Sequence, residues 1–414
     1  MLYERWREIA REHAHEVAVR DAAANESITF SELARAIDHA SPPAAQILFP
    51  QGHNMDFVRT VLLGWKHGRI ICPLEQGQPA PMVDNVPPGC AHLKLTSATT
   101  GPARLIAFRE EQLFADAQNI VSTMGLRAEW PNVGFISLAH SYGFSNLILP
   151  LLLFGIPLTL PGPPLPETLR AVAKQMAGFT LPAVPAIWQA WHEAGAIGNN
   201  VRLAISAGAP LPLALETEVF HHSGVKIHNF YGSSECGGIA YDRSNKPRLQ
   251  AALAGEALDN VSLQQTPEGL LTVSGAAVAE TYWPQSNPRL KNGTFVTSDV
   301  VELKSGQVYL RGRATDLINV AGRKVLPESI EGELLRHPAV RDCVVFGMPD
   351  ADSGRGECIA ACVVAGAPEK DLREFLLAKL PPWQVPRMWH FLEALPRNER
   401  GKISRAELRR KFLQ

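Results

Sequence analysis

The sequence predicts a layered α/β fold that carries a small β-barrel-like part and ends in a small α+β domain. Three observations predict it. Between Ile28 and Phe230, short apolar runs alternate with helical spacings at the interval expected of parallel sheets. From Gly269 to Leu310 the pattern changes to short alternating strands, punctuated by turns at Pro267-Glu268-Gly269, Asn292-Gly293 and Ser305-Gly306. Beyond Ala314, about 100 residues form a helix, strand, strand, helix and basic tail, the size of a separate unit. At 414 residues the chain exceeds one ordinary core and suggests two or three domains. The expected division is 1–313 and 314–414.

Taken in order, residues 3–40 carry a charged amphipathic helix and then Ile28-Thr29-Phe30-Ser31, where a strand ends and Ser31 can cap the next helix. Ala45 to Leu48 is a buried-strand candidate, Asn54 to His67 has helical spacing, and Ile70 to Pro73 reads as a strand. The Pro-rich stretch from Gln76 to Gly89 leads into Leu95-Thr-Ser-Ala-Thr-Thr-Gly-Pro-Ala-Arg104. An apolar strand end at Ile136 to Ala139 then delivers His140-Ser141-Tyr142-Gly143-Phe144 to a loop. Val201 to Ile205 runs into Ser206-Ala207-Gly208-Ala209-Pro210, and Lys226 to Phe230 into Tyr231-Gly232-Ser233-Ser234-Glu235.

Composition narrows the function. Hydrophobic residues make up 46% and charged residues 20%, and the formal net charge is −1, so no basic excess argues for nucleic acid. The most apolar run, Ile148 to Leu160, is broken by Pro150, Gly155 and Pro157 and is too short to span a bilayer. Six cysteines show neither Cys-x-x-Cys nor zinc-like spacing. With no signal peptide at Met1 to Arg5, a reducing cytoplasm is the expected compartment.

The Thr96 to Arg104 stretch follows neither strand nor helix periodicity, so it reads as a loop. Thr96, Ser97, Thr99 and Thr100, closed by Gly101 and followed by Arg104, supply hydroxyls, backbone N–H groups and a guanidinium. Such a set can cradle an anion, and it lacks the Walker signature. The small residues Ala207, Gly208 and Ala209 permit a flat ligand to approach the backbone.

Taken together these stretches resemble the adenylate-forming superfamily of acyl- and aryl-CoA ligases, luciferases and peptide-synthetase adenylation domains. Leu95 to Arg104 is similar to its phosphate loop and Ser206 to Pro210 to its adenine-side strand. Tyr231 to Glu235 resembles its Tyr-Gly-x-Thr-Glu motif, and Thr297-Ser298-Asp299 its ribose-binding motif. Gly312 to Asp316 resembles its interdomain hinge, Asn319 to Lys324 the motif beyond it, and Pro396 to Arg405 its terminal lysine motif. Seven motifs in the family's order cover the chain from about Ile28 to Phe412.

The resemblance implies attack of a carboxylate on the α-phosphate of ATP, release of pyrophosphate, and displacement of AMP from the acyl-adenylate by a thiol. It implies a large adenylating domain and a mobile C-terminal one turning at Thr315–Asp316. Thr96, Ser97, Thr99, Thr100, Gly101 and Arg104 are expected to hold phosphates, and Glu235 to hold Mg²⁺. Ala207, Gly208, Ala209, Tyr231, Gly232, Ser233 and Ser234 are expected to receive adenine, and Asp299 with Arg313 the ribose. Lys402, with Glu235 and Thr100, is expected to carry catalysis. His140, Tyr142, Gly143, Phe144, Gly237 and Gly238 are expected to line the acid pocket, with Trp188 adding to an apolar slot for a fatty or aromatic acid.

The acceptor implied is coenzyme A or the phosphopantetheine of an acyl carrier protein. Ala98 stands where the family has Gly, Arg104 where it has Lys, and fewer residues than usual precede the phosphate loop. A nucleotide-binding sensor or scaffold, or a ligase with a non-thiol acceptor, are the alternative readings.

Overall fold

The computed structural model describes residues 1–22, 24–95, 104–349, 357–396 and 403–413. Two sheets build the large body. The larger has 14 strands, and its parallel half runs Val17–Asp21, Leu158–Leu160, Asn132–Val133, Phe179–Ala183, Val201–Ser206, Ile227–Ser233. Phe179–Ala183 is buried at every residue, and its one polar side chain, Thr180, donates to the Trp130 carbonyl (3.3 Å). At Ile227–Ser233 the sheet turns antiparallel, through the hairpin with Gly237–Tyr241. It then continues as Leu253–Ala257, Gln307–Arg313, Thr294–Lys304, Leu270–Ser274 and Ser262–Gln265. The β-rich part expected from Gly269 onward is therefore hydrogen-bonded onto the parallel layer.

The second sheet orders Thr281–Trp283, Leu105–Phe108, His92–Leu95, Ile70–Ile71 and Ile47–Leu48. Leu95 pairs with Leu105, so the two strands bring together the ends of the 96–104 segment. Helix Met55–Lys66 packs on this sheet, and helices Leu2–Glu12 and Phe30–His39 pack against that helix, with Trp6, Phe30, Phe57 and Leu62 all fully buried.

Two local expectations need correction. The cap of the second helix is Thr29, not Ser31. Thr29 Oγ1 accepts the Glu32 N–H (3.2 Å), while Glu32 Oε2 accepts the Thr29 N–H (2.9 Å), a reciprocal box that Ser31 cannot form with the same glutamate. The strand expected to end near Ala139 stops at Val133, and Ile136 and Leu138 are buried in irregular chain. There the Gly134 carbonyl accepts from His53 Nε2 (2.6 Å), an interaction with a side chain rather than with a neighbouring strand.

A buried ionic cluster ties the parallel and antiparallel halves. Lys226 Nζ donates to Glu216 (2.6 Å), Asp242 (2.7 Å) and the Ile227 carbonyl (2.7 Å). Arg248 donates from Nε to Glu216 Oε2 (2.8 Å) and from its terminal nitrogens to the Leu211 and Leu253 carbonyls. Each charge has an opposite partner and each nitrogen an acceptor.

The C-terminal part has its own three-stranded sheet of Val340–Pro349, Glu357–Ala365 and Met388–Phe391. Its central strand is buried on both faces. Ile359, Ala361 and Val363 meet helices Pro327–Leu334 and Glu369–Leu377, while Ala360, Cys362 and Val364 meet helix Arg405–Leu413. All six cysteines are free thiols, five of them buried. No described helix is long and apolar enough to cross a membrane.

Candidate active site

The hairpin Ile227–Ser233/Gly237–Tyr241 and the paired strands Thr294–Lys304 and Gln307–Arg313 carry most of the site. Asp299 and Arg313 sit directly opposite each other across the second pair. Arg313 Nε donates to Asp299 Oδ1 (3.1 Å), and the Tyr231 hydroxyl donates to Asp299 Oδ2 (2.5 Å). Three residues that the sequence assigned to one nucleoside thus share one carboxylate. Burial and the Asp299 charge hold the Tyr231 phenol well above its usual range, so it stays a neutral donor. The Asp299 N–H is bonded to Thr297 Oγ1 (3.0 Å), which fixes the carboxylate's backbone.

Glu235 lies in the hairpin turn, half-buried. Its Oε1 accepts the Tyr282 hydroxyl (2.8 Å), and its carbonyl accepts the Ala279 N–H (2.8 Å). Tyr282 is the residue that sequence reasoning missed here. It sits on Thr281–Trp283, the strand that pairs with Leu105–Phe108, and the signal for it was only an aromatic in a short β-run. Burial, then the Glu235 charge, raise the Tyr282 phenol, and the Arg104 guanidinium works the other way, so Arg104 lies within electrostatic reach of this pair. Thr96, Ser97, Thr99, Thr100, Gly101 and Lys402 lie outside the described residues, as does Ala98.

On the adenine side, Ala207 is buried, Gly208 exposed and Ala209 half-buried, directly after strand Val201–Ser206. Ser206 pairs with Asn229, which places this segment beside the strand that leads to Tyr231, Gly232, Ser233 and Ser234. Gly237 has φ +69°, and a Cβ there would lie 2.0 Å from Asp116 Oδ1, so no other residue fits.

Of the expected pocket residues, Phe144 is a core side chain whose ring lies tilted against His92, with centres 4.5 Å apart. The Tyr142 hydroxyl donates to the Ile205 carbonyl (3.3 Å), an acceptor shared with the Trp188 indole (3.1 Å). Trp188 is wholly buried against Trp191 and belongs to the core rather than to a slot. A Cβ on Gly143 would lie 1.9 Å from the Ser137 carbonyl oxygen, and the chain then makes a π-turn at Phe144–Ile148. His140 Nε2 sits 2.7 Å from Glu75 Oε1, which also accepts the Ser137 hydroxyl. Glu75 precedes the Pro-rich stretch and gave no sequence signal beyond its charge.

At the expected hinge, Ala314–Asp316 is a single 3₁₀ turn. Asp316 Oδ2 accepts from Arg405 (2.7 Å), which also holds Glu328 (3.0 Å), both oxygens of Glu331 (2.8 and 2.9 Å) and the Val345 carbonyl (3.0 Å). Glu328 in turn presses on Gly312, where a Cβ would lie 2.2 Å from Oε2. Arg405 and Arg409, half of the expected basic tail, are thereby spent on internal carboxylates, the second on Glu357 (2.9 Å).

The AMP-binding enzyme family matches residues 56–283, more than half of the chain, and the C-terminal domain of AMP-binding enzymes matches residues 329–402. The chain is an AMP-binding enzyme. Within that family it is 29% identical over 333 residues to a probable 2-succinylbenzoate–CoA ligase of Mycobacterium tuberculosis, covering 77% of this chain and 83% of that protein. It is 26% identical to a long-chain-fatty-acid–CoA ligase of Bacillus subtilis, covering 77% of this chain but 61% of that longer protein. ATP-bound MatB from Rhodopseudomonas palustris superposes with TM-score 0.85 at 20% identity, over 99% of this chain and 98% of that one. MenE from Bacillus subtilis in complex with AMP gives 0.82 at 19%, over 98% and 97%. These likenesses establish the fold: an α/β body with a small C-terminal domain.

Proposed function

We propose that this AMP-binding enzyme activates a carboxylic acid as its acyl-adenylate, releases pyrophosphate, and passes the acyl group to the thiol of coenzyme A. The observation that carries this reading is the Tyr231–Asp299–Arg313 cluster. It gathers an aromatic face, a carboxylate and a guanidinium beside Glu235, in a chain whose family binds AMP. Asp299 would accept from the ribose hydroxyls, exchanging its bonds to Tyr231 and Arg313 for bonds to the ligand. Glu235 fits a role as Mg²⁺ ligand, because one carboxylate with substrate phosphates and waters is a donor set that this ion uses. The Tyr282 bond engages Oε1 and orients the group. The ion, when bound, would neutralise phosphate charge as it develops.

Arg104, and the loop hydroxyls Thr96, Ser97, Thr99 and Thr100 with Gly101, would orient the β- and γ-phosphates. Lys402 would reach the α-phosphate and the acid. Residues 314–414 would turn about Thr315–Asp316 between the two half-reactions. Coenzyme A is favoured over a carrier protein because the relatives are named CoA ligases and two of the tail arginines are paired internally.

The test is acid-dependent pyrophosphate release with Mg-ATP, beside Lys402→Ala. Release that requires the acid and falls about 10²–10³-fold in the variant is expected. ATP binding without release from any fatty or aromatic acid would overturn the reading.

A further inference from the structure

The strand that leads into Thr96 carries an oddity. Along His92–Leu95 the side chains alternate, which puts His92 and Lys94 on one face, and both are buried (1% and 6% exposed). Lys94 Nζ donates to Ser141 Oγ (3.0 Å) and lies 4.4 Å from the centre of the Phe108 ring. It is within electrostatic range of Asp116, Glu235 and Cys236. Asp116, buried on helix Glu110–Met124, accepts the Ser145 hydroxyl (2.6 Å) and the Gly238 N–H (3.0 Å).

Among the described residues Lys94 and Asp116 form no direct ion pair, although both are buried and each lies in the other's field. An ammonium has three donors. Among the described residues Ser141 takes one and the ring face of Phe108 faces the charge, so donor capacity remains there. His92 Nδ1, on the same face, is buried without a hydrogen-bond partner among the described residues. A buried donor or acceptor left unmade costs free energy that a well-packed apolar wall would avoid.

Ser141, which Lys94 touches, and Gly237 and Gly238, against which Asp116 lies, belong to the two segments His140–Phe144 and Gly237–Gly238, which the sequence assigns to the acid pocket. We propose that Lys94 and Asp116 form a polar end wall of that pocket, and that the acid it takes is short and carries a neutral hydroxyl remote from its carboxylate, as a hydroxyaryl acid does. This rests on the adenylation reading above.

The hydroxyl accepts from Lys94 Nζ and donates toward Asp116, so it completes what neither side chain completes for the other. Charge selects the neutral group. Lys94 and Asp116 cancel, so a second carboxylate adds an unbalanced negative charge beside Asp116 and Glu235, and an amine adds a positive one beside Lys94. Aromatic surroundings select the body of the acid: half-buried Tyr142, its ring centre 6.0 Å from that of Phe230, with the core pair Phe144 and His92 behind. An alkyl tail would press hydrocarbon on the ammonium.

Pyrophosphate release is measured with matched acids: benzoate and 4-hydroxybenzoate, cinnamate and 4-hydroxycinnamate, octanoate, and 2-succinylbenzoate as the dicarboxylate. The hydroxylated member of at least one aromatic pair is expected to exceed its partner at least about tenfold in kcat/KM, because a site built to bond a hydroxyl rejects the analogue without it. Ser141→Ala and Lys94→Met should each pull that ratio toward one. Should Lys94→Met fail to fold, the wild-type ratios and Ser141→Ala decide. Preference for octanoate, for 2-succinylbenzoate or for the unsubstituted rings overturns this proposal and leaves adenylation standing. Release from no acid at all overturns both.

Discussion

Two buried groups of charge in the large body are built on opposite plans. Glu216, Lys226, Asp242 and Arg248 form a closed set, in which each ammonium and guanidinium nitrogen has an acceptor and the charges sum to zero in direct contact. Lys94 and Asp116 also cancel, yet they stand apart and bond to Ser141 and to Ser145 and Gly238 instead. The first set lies where a helix, the parallel strands and the antiparallel strands must be fixed in register. The second lies where sequence motifs place a ligand. Closure serves scaffolding, and an unfinished pair leaves capacity for something that comes and goes. Tyr231, Asp299 and Arg313 fall between: closed without ligand, and made of groups that can exchange partners.

The comparison can be broken most directly at its closed end. Glu216→Ala would strand Lys226 and Arg248 without their shared carboxylate. The expected loss is about 3–5 kcal/mol, read from denaturant midpoints. A loss below about 1 kcal/mol would mean that the set is not a scaffold.

The intermediate cluster gives a smaller effect. Tyr231→Phe removes one donor from Asp299 and keeps the ring, so the KM for ATP should change by roughly fivefold, about 1 kcal/mol, with melting little altered. A loss of stability comparable to that of Glu216→Ala would place this cluster with the scaffold instead.

The smallest effect sharpens the rule at the hinge, where the Arg405 set is closed except for Glu328 Oε2, a buried atom without a partner among the described residues. Burial raises the Glu328 carboxyl above its usual 4.5, against the pull of Arg405. Folding therefore takes up protons between 4.5 and the higher native value, and stability falls as pH rises through that window. Glu328→Gln removes this dependence, while Glu331, raised in the same direction, keeps its own. The melting temperature of the variant should gain on the wild type as pH climbs from 4.5. A constant difference would show that Glu328 does not titrate there.

Much of this was legible in the sequence where local pattern and chemistry coincide. The change from alternating strand–helix units to β-hairpins marks a real change from parallel to antiparallel sheet. Asp299 and Arg313 were named from separate motifs, and strand register brings them together. Thr29 and Ser31 were harder to separate, because either hydroxyl can cap and only the position of Glu32 decides. Irregular chain at Ile136 to Ala139 looked like strand because its residues are apolar, and burial, not hydrogen bonding, is what they share. Lys94 and Asp116 left a fainter trace. Each is a charge in an otherwise apolar pattern, Lys94 within His-Leu-Lys-Leu and Asp116 between Leu113, Ala117 and Ile120 on a helix face. Such a misfit says that something is bonded there, but the identity of the partner belongs to tertiary structure.

The Arg405 junction has a mechanical meaning. Its guanidinium rivets the first turn of the last helix to Asp316, one of the two residues proposed as the pivot. Pivot and last helix are therefore one short crank. On the proposed rotation, slack between them cannot absorb the stroke, and the helix must travel with the axle.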